Sequence, residues 1–153
     1  MAYANMTEGV GAIYREGKRN AFPVAANTTI YEGSLVFINS SGYAVYTATE
    51  GACYVGVASE TCVNGATAGA RSVLVYCEGA FEFKGVTNSQ GNMGKTVYLD
   101  TAQTPNTVTV TEPSSNNALK IPVGKIIMFL GDSKVLVRVT GFALVNNVVK
   151  GTA

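Results

Sequence analysis

The chain has 153 residues, 47% of them apolar and 14% charged, with a formal net charge of +1 at pH 7. This composition argues against disorder and supports one domain that buries about two-thirds of its unfolded surface. The balanced charge excludes a general attraction to nucleic acid or anionic membranes, and no apolar run approaches the roughly 20 residues that span a bilayer. The first residues have neither a basic start nor an apolar core, so no signal peptide is predicted.

Cysteine and histidine usage restricts the possible chemistry, since the chain has three cysteines and no histidine. Cys53, Cys62 and Cys77 lack CxxC spacing, which favours reduced thiols over a zinc site and leaves a Cys53–Cys62 disulfide open. Ser-His and Cys-His nucleophile pairs are impossible without histidine. We therefore predict that the protein is not an enzyme and has no catalytic, cofactor-binding or metal-binding residues.

Residues 1–27 differ from the rest of the chain and are predicted to form an extended N-terminal arm, because their glycines disfavour a helix. Their cations are few and are diluted by Glu16, so a protein partner fits better than nucleic acid, and a solvated arm is the alternative. Tyrosine and arginine are enriched in interface hot spots. The candidate interface residues are Tyr3, Tyr14, Arg15, Lys18, Arg19 and Phe22.

From residue 28 onward, short apolar segments alternate with turn residues, which predicts strands and no helix. The first four strands are expected at residues 28–31, 35–39, 43–47 and 54–59. Gly56, inside the fourth of these strands, is a candidate bulge. The small-residue segment at residues 61–70 is predicted to be a loop.

Residues 71–84 are expected to be the central stretch, around which the other strands pack. Apolar residues on both faces up to Cys77 predict a strand that is buried on both sides. Gly79 marks a predicted bend or bulge, after which Phe81 and Phe83 alternate with charged residues and one face turns to water. Such a change of environment is typical of a corner in a small barrel or sandwich.

The second half of the chain continues the same pattern, with strands expected at residues 96–100, 107–111, 124–130 and 134–140. Pro122 bars a regular ladder at its own position, and residues 131–133 form a tight loop between the last two strands. The asparagine pair in the tail, residues 142–153, marks either a small hairpin turn or a strand that pairs with another subunit. Residues 28–141 are thus predicted to be all-β, a compact single-domain β-barrel or sandwich of about ten short strands.

Two patterns suggest chemistry that the surrounding sequence does not support. The Gly-Lys-Thr at residues 94–96 resembles the end of a phosphate-binding loop, but Ser89 stands where that loop needs glycine, and a strand follows instead of a helix. Glu78 and Glu82 would lie about 13 Å apart on an unbroken strand, which exceeds the usual spacing of a glycosidase carboxylate pair. We interpret the first as a turn before a strand and the second as solvated edge residues.

Five segments carry a resemblance to a known family: YEGSLV at residues 31–36, YVGVA at 54–58, VLVYCEGAFEF at 73–83, GKTVYLD at 94–100 followed by TVTVT, and VGKI at 123–126 leading to VLVRV. In this order they resemble the phage capsid cement, or head decoration, family over roughly residues 20–141. The match is a pattern of strands and glycines rather than a catalytic signature. It implies an all-β protein, often a trimer, that binds the assembled major capsid protein between capsomers and helps the head resist internal DNA pressure.

The expected function is therefore that of a structural virion protein, a capsid decoration protein made in the host cytoplasm and located on the outer surface of the capsid. Its expected partners are the major capsid protein and sister copies in a homotrimer, with no direct contact to nucleic acid or membrane. The arm residues named above would then form the capsid or subunit interface. The alternatives are a tail, baseplate or receptor-binding β-domain of a phage particle, and a small-molecule-binding β-barrel or enzyme.

Overall fold

The computed structural model of the protein describes residues 18–99, 107–113, 119–141 and 149–150. These residues are all-β, as predicted, with fourteen strands and one turn of 3-10 helix at Gln90–Asn92. The strands are β1 (Arg19–Pro23), β2 (Thr29–Ile30), β3 (Leu35–Ile38), β4 (Ala44–Val45), β5 (Cys53–Ala58), β6 (Cys62–Val63), β7 (Ser72–Tyr76), β8 (Glu78–Lys84), β9 (Thr96–Leu99), β10 (Val108–Thr109), β11 (Leu119–Lys120), β12 (Pro122–Gly131), β13 (Lys134–Thr140) and β14 (Val149–Lys150). Six of the fourteen described strands have only two residues. Three of these, β6, β11 and β14, together with β1 in the predicted arm, bring the number of strands above the ten that the sequence indicated. Within these ranges no helix is long and apolar enough to cross a membrane.

Two five-stranded antiparallel sheets form the body of the protein. The first sheet has the strand order β1-β7-β5-β3-β4 and the second β10-β9-β12-β13-β8, while β2 pairs with β6 and β11 with β14. The outermost strands of each large sheet approach each other through one parallel bridge, Val24 with Ala44 in the first sheet and Lys84 with Thr107 in the second. Neither large sheet, as far as it is described, closes along a continuous ladder, so the body is sandwich-like.

Apolar side chains collect in two cores, one on each face of the first sheet. The main core lies between the two large sheets and includes Leu35, Phe37, Tyr54 and Val57 on one side and Phe83, Val97, Ile126 and Val135 on the other. The second core includes Val36, Val55, Val73 and Val75 from the first sheet and Ile30 and Cys62 from the β2–β6 pair. Successive residues of β3 and β5 therefore enter opposite cores, and the first sheet is the middle layer.

The strand that is buried on both faces is β5, and not β7 as the sequence predicted. Every residue of β5 after Cys53 is buried, because β5 lies in the middle of the first sheet. β7 lies next to the edge strand β1, so Leu74 and Tyr76 stay partly exposed while Val73 and Val75 on the other face are fully buried.

The chain passes from the first sheet to the second at Cys77, two residues before the predicted bend at Gly79. β8 pairs with β13 in unbroken register from Glu78 to Lys84, so Gly79 lies inside a regular ladder and is not a bulge. The backbone of Cys77 secures the corner, since its N–H donates to the Lys18 carbonyl at 2.8 Å and its carbonyl accepts from the N–H of Gly141 at 2.6 Å. Beyond the corner one face of β8 turns to water, as predicted: Phe83 is buried and the charged residues beside it are exposed.

The predicted bulge at Gly56 is confirmed. The pairing of β3 with β5 shifts between Val36, opposite Gly56, and Phe37, opposite Tyr54. Gly56 has a φ of +145°, and a Cβ built there would lie 2.0 Å from the Tyr76 carbonyl oxygen, so only glycine fits. The segment at residues 61–70, by contrast, was expected to be a loop but contains β6, which pairs with β2 and covers the second core.

Both ends of the chain are described only in part. Residues 1–17 of the predicted arm and residues 142–148, with the predicted asparagine turn, lie outside the described residues. β1, which falls inside the predicted arm, is extended but pairs with β7 over all five of its residues and so belongs to the first sheet. Val24 directly after it is fully buried in the second core.

The region around β12 agrees with two predictions. Pro122 begins β12, opposite Tyr98, and the register shifts directly after it, as expected where a proline cannot donate to a ladder. Asp132 and Ser133 connect β12 to β13 with φ values of 50° and 58°. Positive φ at both central residues is the geometry of a two-residue type I′ hairpin turn, which matches the twist of the paired strands.

Candidate interaction surface

Three of the six predicted interface residues are described, and the side chains of two of them make contacts within the chain. Lys18 is exposed. The guanidinium of Arg19 lies over the ring of Tyr76, 5.8 Å from its centroid, and the half-buried Phe22 packs against the second core. Tyr3, Tyr14 and Arg15 lie outside the described residues.

The Arg19 contact is part of the corner between the sheets. The ring of Tyr76, on which Arg19 rests, also contacts Phe81 of β8, with ring centroids 5.6 Å apart. These three side chains join β1, β7 and β8 at the margin of the main core. A cation–π pair at an exposed site contributes roughly 0.5–1 kcal/mol, so Arg19 and Tyr76 have a clear structural role.

The largest group of exposed apolar side chains that the sequence places together lies in β12. In the described residues, seven large apolar side chains are exposed: Tyr31, Tyr46, Val63, Met93, Ile127, Met128 and Leu130. We call Ile127, Met128 and Leu130, which are 43%, 51% and 41% exposed, the hairpin patch.

Two irregularities in β12 create the hairpin patch. The pairing of β12 with β13 shifts between Ile126 and Met128 and again between Phe129 and Gly131, so Ile127 and Leu130 have no residue opposite them. Ile126 is buried and Phe129 partly buried against the main core. Bulges re-aim side chains, and here two of them leave three apolar residues on the solvent side within four positions.

The outward face of the second sheet extends the patch across two more strands. Met128 lies opposite Leu136, which is half-buried and in turn lies opposite the exposed Glu82. The inward residues of the same strands, Val135 and Val137, are fully buried. The patch therefore stands on a packed and hydrogen-bonded sheet rather than on a loop.

Four lysines flank the hairpin patch: Lys84, Lys95, Lys125 and Lys134. Lys134 lies opposite both Gly131 and Lys84, and the Lys95 carbonyl accepts a hydrogen bond from the N–H of Ile126 at 3.1 Å. The ion pairs of the described residues lie elsewhere, between Lys120 and Glu112 and between Arg138 and Glu78. All four flanking ammonium groups are consequently unpaired in the described part of the chain.

A cavity of about 290 Å³ at the same end of the sheet is lined by Glu82, Phe83, Lys84 and Lys134. Small-molecule pockets are usually larger and mainly apolar, whereas three of these four lining residues are charged. The described ranges contain no group of three or more cysteine, aspartate or glutamate side chains that could hold a metal ion. The cavity is thus better described as a charged margin of the patch.

The three cysteines are free thiols, so the Cys53–Cys62 disulfide that the sequence left open is not formed. Burial raises the pKa of Cys53, Cys62 and Cys77 above the ordinary value of 9.0. For Cys77, a hydrogen bond from the Asn20 amide at 3.7 Å partly opposes this effect of burial on the pKa. A nucleophilic cysteine needs a lowered pKa, and these thiols have the opposite environment.

Sequence reasoning missed the hairpin patch, although a signal for it was present. Residues 126–130 read IIMFL, five apolar residues in succession. Successive side chains of a strand point to opposite faces, so an all-apolar run needs cover on both faces. Where only one face of the strand meets a core, the other apolar side chains are left in water. The run identifies the strand, but the positions of the bulges decide which of its residues are exposed.

Comparisons with known proteins give no further assignment. No protein-family model, no curated protein and no solved structure matches the chain. The interpretation of the patch therefore depends on its geometry and on the resemblance in the order of segments.

Proposed function

We propose that the protein is a capsid decoration, or cement, protein that binds the outside of the assembled phage head and stabilises the lattice of the major capsid protein. The observation that carries a binding role is the hairpin patch, since Ile127, Met128 and Leu130 are exposed on a folded sheet. Exposed apolar side chains that adjoin one another on a folded sheet favour an interaction site. The resemblance in the order of segments is what directs the proposal to a phage head.

The position of the patch on a hydrogen-bonded strand supports this role. A surface whose backbone is held in a sheet loses less backbone conformational entropy on docking than a loop does. The patch is small, so each contact is weak, but a lattice offers many equivalent sites to a protein that also contacts its neighbours. In this proposal the sister copies form a homotrimer, and neither nucleic acid nor membrane is a partner.

The direct test is to count copies of the protein in purified particles of the phage that encodes it. Quantitative mass spectrometry relative to the major capsid protein should give a ratio near one or a simple fraction such as one-third. A handful of copies per particle would instead indicate a tail, baseplate or receptor-binding β-domain. Absence from the particle would contradict both assignments.

The contribution of the N-terminal arm needs a deletion that spares the first sheet. Removing residues 1–27 would delete β1 and the fully buried Val24, and would confound binding with folding. Deleting residues 1–17 keeps every β1 pairing. We expect the shorter deletion to reduce occupancy on heads, with an unchanged circular dichroism spectrum as control; full occupancy would show that the arm is not part of the interface.

A further inference from the structure

We propose that the hairpin patch and its four lysines form the docking surface for one kind of partner: an apolar protein surface rimmed by carboxylates. The inference rests on the proposed function, for which it names the contact surface on this chain and the chemistry of the matching site on the head. Three properties of the described residues carry it: the exposed apolar centre, the unpaired cations around it, and the repulsion that opposes pairing of the patch with itself.

The charge around the patch is one-sided. Lys84, Lys95, Lys125 and Lys134 give four positive charges, and the acids nearby are Glu82 and Asp132, so the sum is +4 − 2 = +2. The remaining ions of the second sheet, Glu78 and Arg138, neutralise each other, and Glu112 and Lys120, outside that sheet, form a second ion pair. A partner with carboxylates around an apolar centre would complement this surface, and its charges would speed association at low salt.

The ladder places two of the lysines directly opposite each other, and Glu82 is the one acid that lines the same cavity. Lys84 and Lys134 lie directly opposite in the pairing of β8 with β13, and like charges in that position destabilise a sheet. A carboxylate from a partner placed between them would relieve the repulsion. The cavity that both residues line, about 290 Å³, has room for such a side chain.

The same charges argue against a second copy of this chain bound patch to patch. A two-fold contact would bring the four lysines of each copy together around a shared apolar centre. Like-charge juxtaposition at an interface is strongly unfavourable. The patch therefore binds a different protein rather than a second copy of this chain. Any contacts within a trimer would use other parts of the chain.

The test is a binding assay of the full-length protein with DNA-filled heads assembled in its absence, scored by co-sedimentation and densitometry. One variant, Met128→Ser with Leu130→Ser, removes apolar area from the patch. Another, Lys125→Glu with Lys134→Glu, reverses the charge of two of the four flanking lysines. We expect each to weaken binding about tenfold or more. As NaCl is raised, the binding of the charge variant to heads should approach that of the unmodified protein, because salt screens the repulsion. The binding of the serine variant should not recover in this way.

Matched controls come from residues in or next to β2, β6 and β7, which lie outside the second sheet. Tyr31→Ser with Val63→Ser alters two side chains that are 67% and 57% exposed, and Arg71→Glu reverses one exposed cation away from the patch, for comparison with Lys125→Glu alone. Both controls should bind like the unmodified protein. Thermal unfolding confirms that every variant is folded, as expected for substitutions of mainly exposed residues.

The outcomes separate this inference from the proposed function. Heads that bind the unmodified protein and both patch variants equally well would overturn the docking surface and leave the decoration role standing. Equal losses in the patch and control variants would also overturn it. Failure of the unmodified protein to bind heads at all would overturn both.

Discussion

Gly56 is the residue at which the first sheet tolerates the least change. Its φ of +145° is strained for any L side chain, and an added Cβ would lie 2.0 Å from the carbonyl oxygen of Tyr76. Because that oxygen belongs to the backbone of β7, no side-chain rotation relieves the contact. We expect Gly56→Ala to lower the free energy of unfolding in urea by about 3 kcal/mol or more.

Gly51 provides the matched control for that substitution. It also has a positive φ, +86°, but no atom lies within 4 Å of an added Cβ. Gly51→Ala should therefore lower the free energy of unfolding by only about 1 kcal/mol, because only the backbone conformation is unfavourable for alanine. Similar losses for the two substitutions would show that the contact with Tyr76 is not the dominant cost.

Tyr54 makes stability sensitive to alkaline pH. Burial raises the pKa of its phenol far above the usual 10.0, and the neighbouring Cys77 adds to this effect. Since the folded state holds the proton more tightly than the unfolded chain, the stabilisation is complete below pH 10 and is lost as the pH rises above it. The loss from this group approaches about 1.4 kcal/mol per pH unit.

Urea titrations across alkaline pH test this expectation, and Tyr54→Phe is the comparison. The variant should lose stability with pH less steeply than the unmodified protein, and the remaining slope should come from the cysteine thiols, whose pKa burial also raises. Parallel curves for the two proteins would show that Tyr54 ionises normally in the folded state.

Among the elements, the β12–β13 hairpin has a turn that its sequence does not optimise. Ser133 has a φ of 58° at the second central position of the turn, where glycine is preferred. Ser133→Gly should raise the free energy of unfolding by about 0.5–1 kcal/mol, because the left-handed conformation is strained for serine. Ser133→Ala keeps that strain and should give no gain, so an equal gain from both would contradict the explanation.

The elements also show which local signals the sequence carries. β13 was predicted with its observed bounds, Lys134–Thr140, because its valines alternate and a turn precedes it. β6 was missed, because a two-residue strand has no periodicity and depends on its pairing with β2. The sequence predicts the corner at Gly79 because glycine allows the backbone to bend. The corner lies at Cys77 instead, because β7 pairs with β5 and β8 pairs with β13, and this pairing decides where the chain leaves the first sheet.

For the whole molecule, the position of the first sheet between two cores predicts a single unfolding transition. Tyr54 lies in the main core, and Cys62 and Cys77 lie in the second. Neither core can open without exposing one face of the same sheet. In a urea titration, the near-ultraviolet tyrosine signal and the labelling of the two thiols should share one midpoint; separate midpoints would show that the layers unfold independently.

At this scale the sequence predicted the class of the fold but not the number of its layers or its binding surface. Apolar alternation and turn residues suffice for an all-β assignment. Which strands pair, and hence which sheet lies between two cores, depends on contacts between distant segments. The hairpin patch arises in the same way, since Ile127 and Leu130 are turned outward by their register against β13.

The two bulges of β12 have a consequence for how the protein behaves when it is concentrated. β9 pairs with β12 only from Pro122 to Lys125, so the later backbone groups of β12 have no second neighbouring strand among the described residues. A flat apolar edge of this kind is a template for intermolecular strand addition and fibril growth. Bulges at Ile127 and Leu130 interrupt the regular spacing of donors and acceptors that such growth requires. The hairpin can thus expose an apolar surface while resisting self-polymerisation.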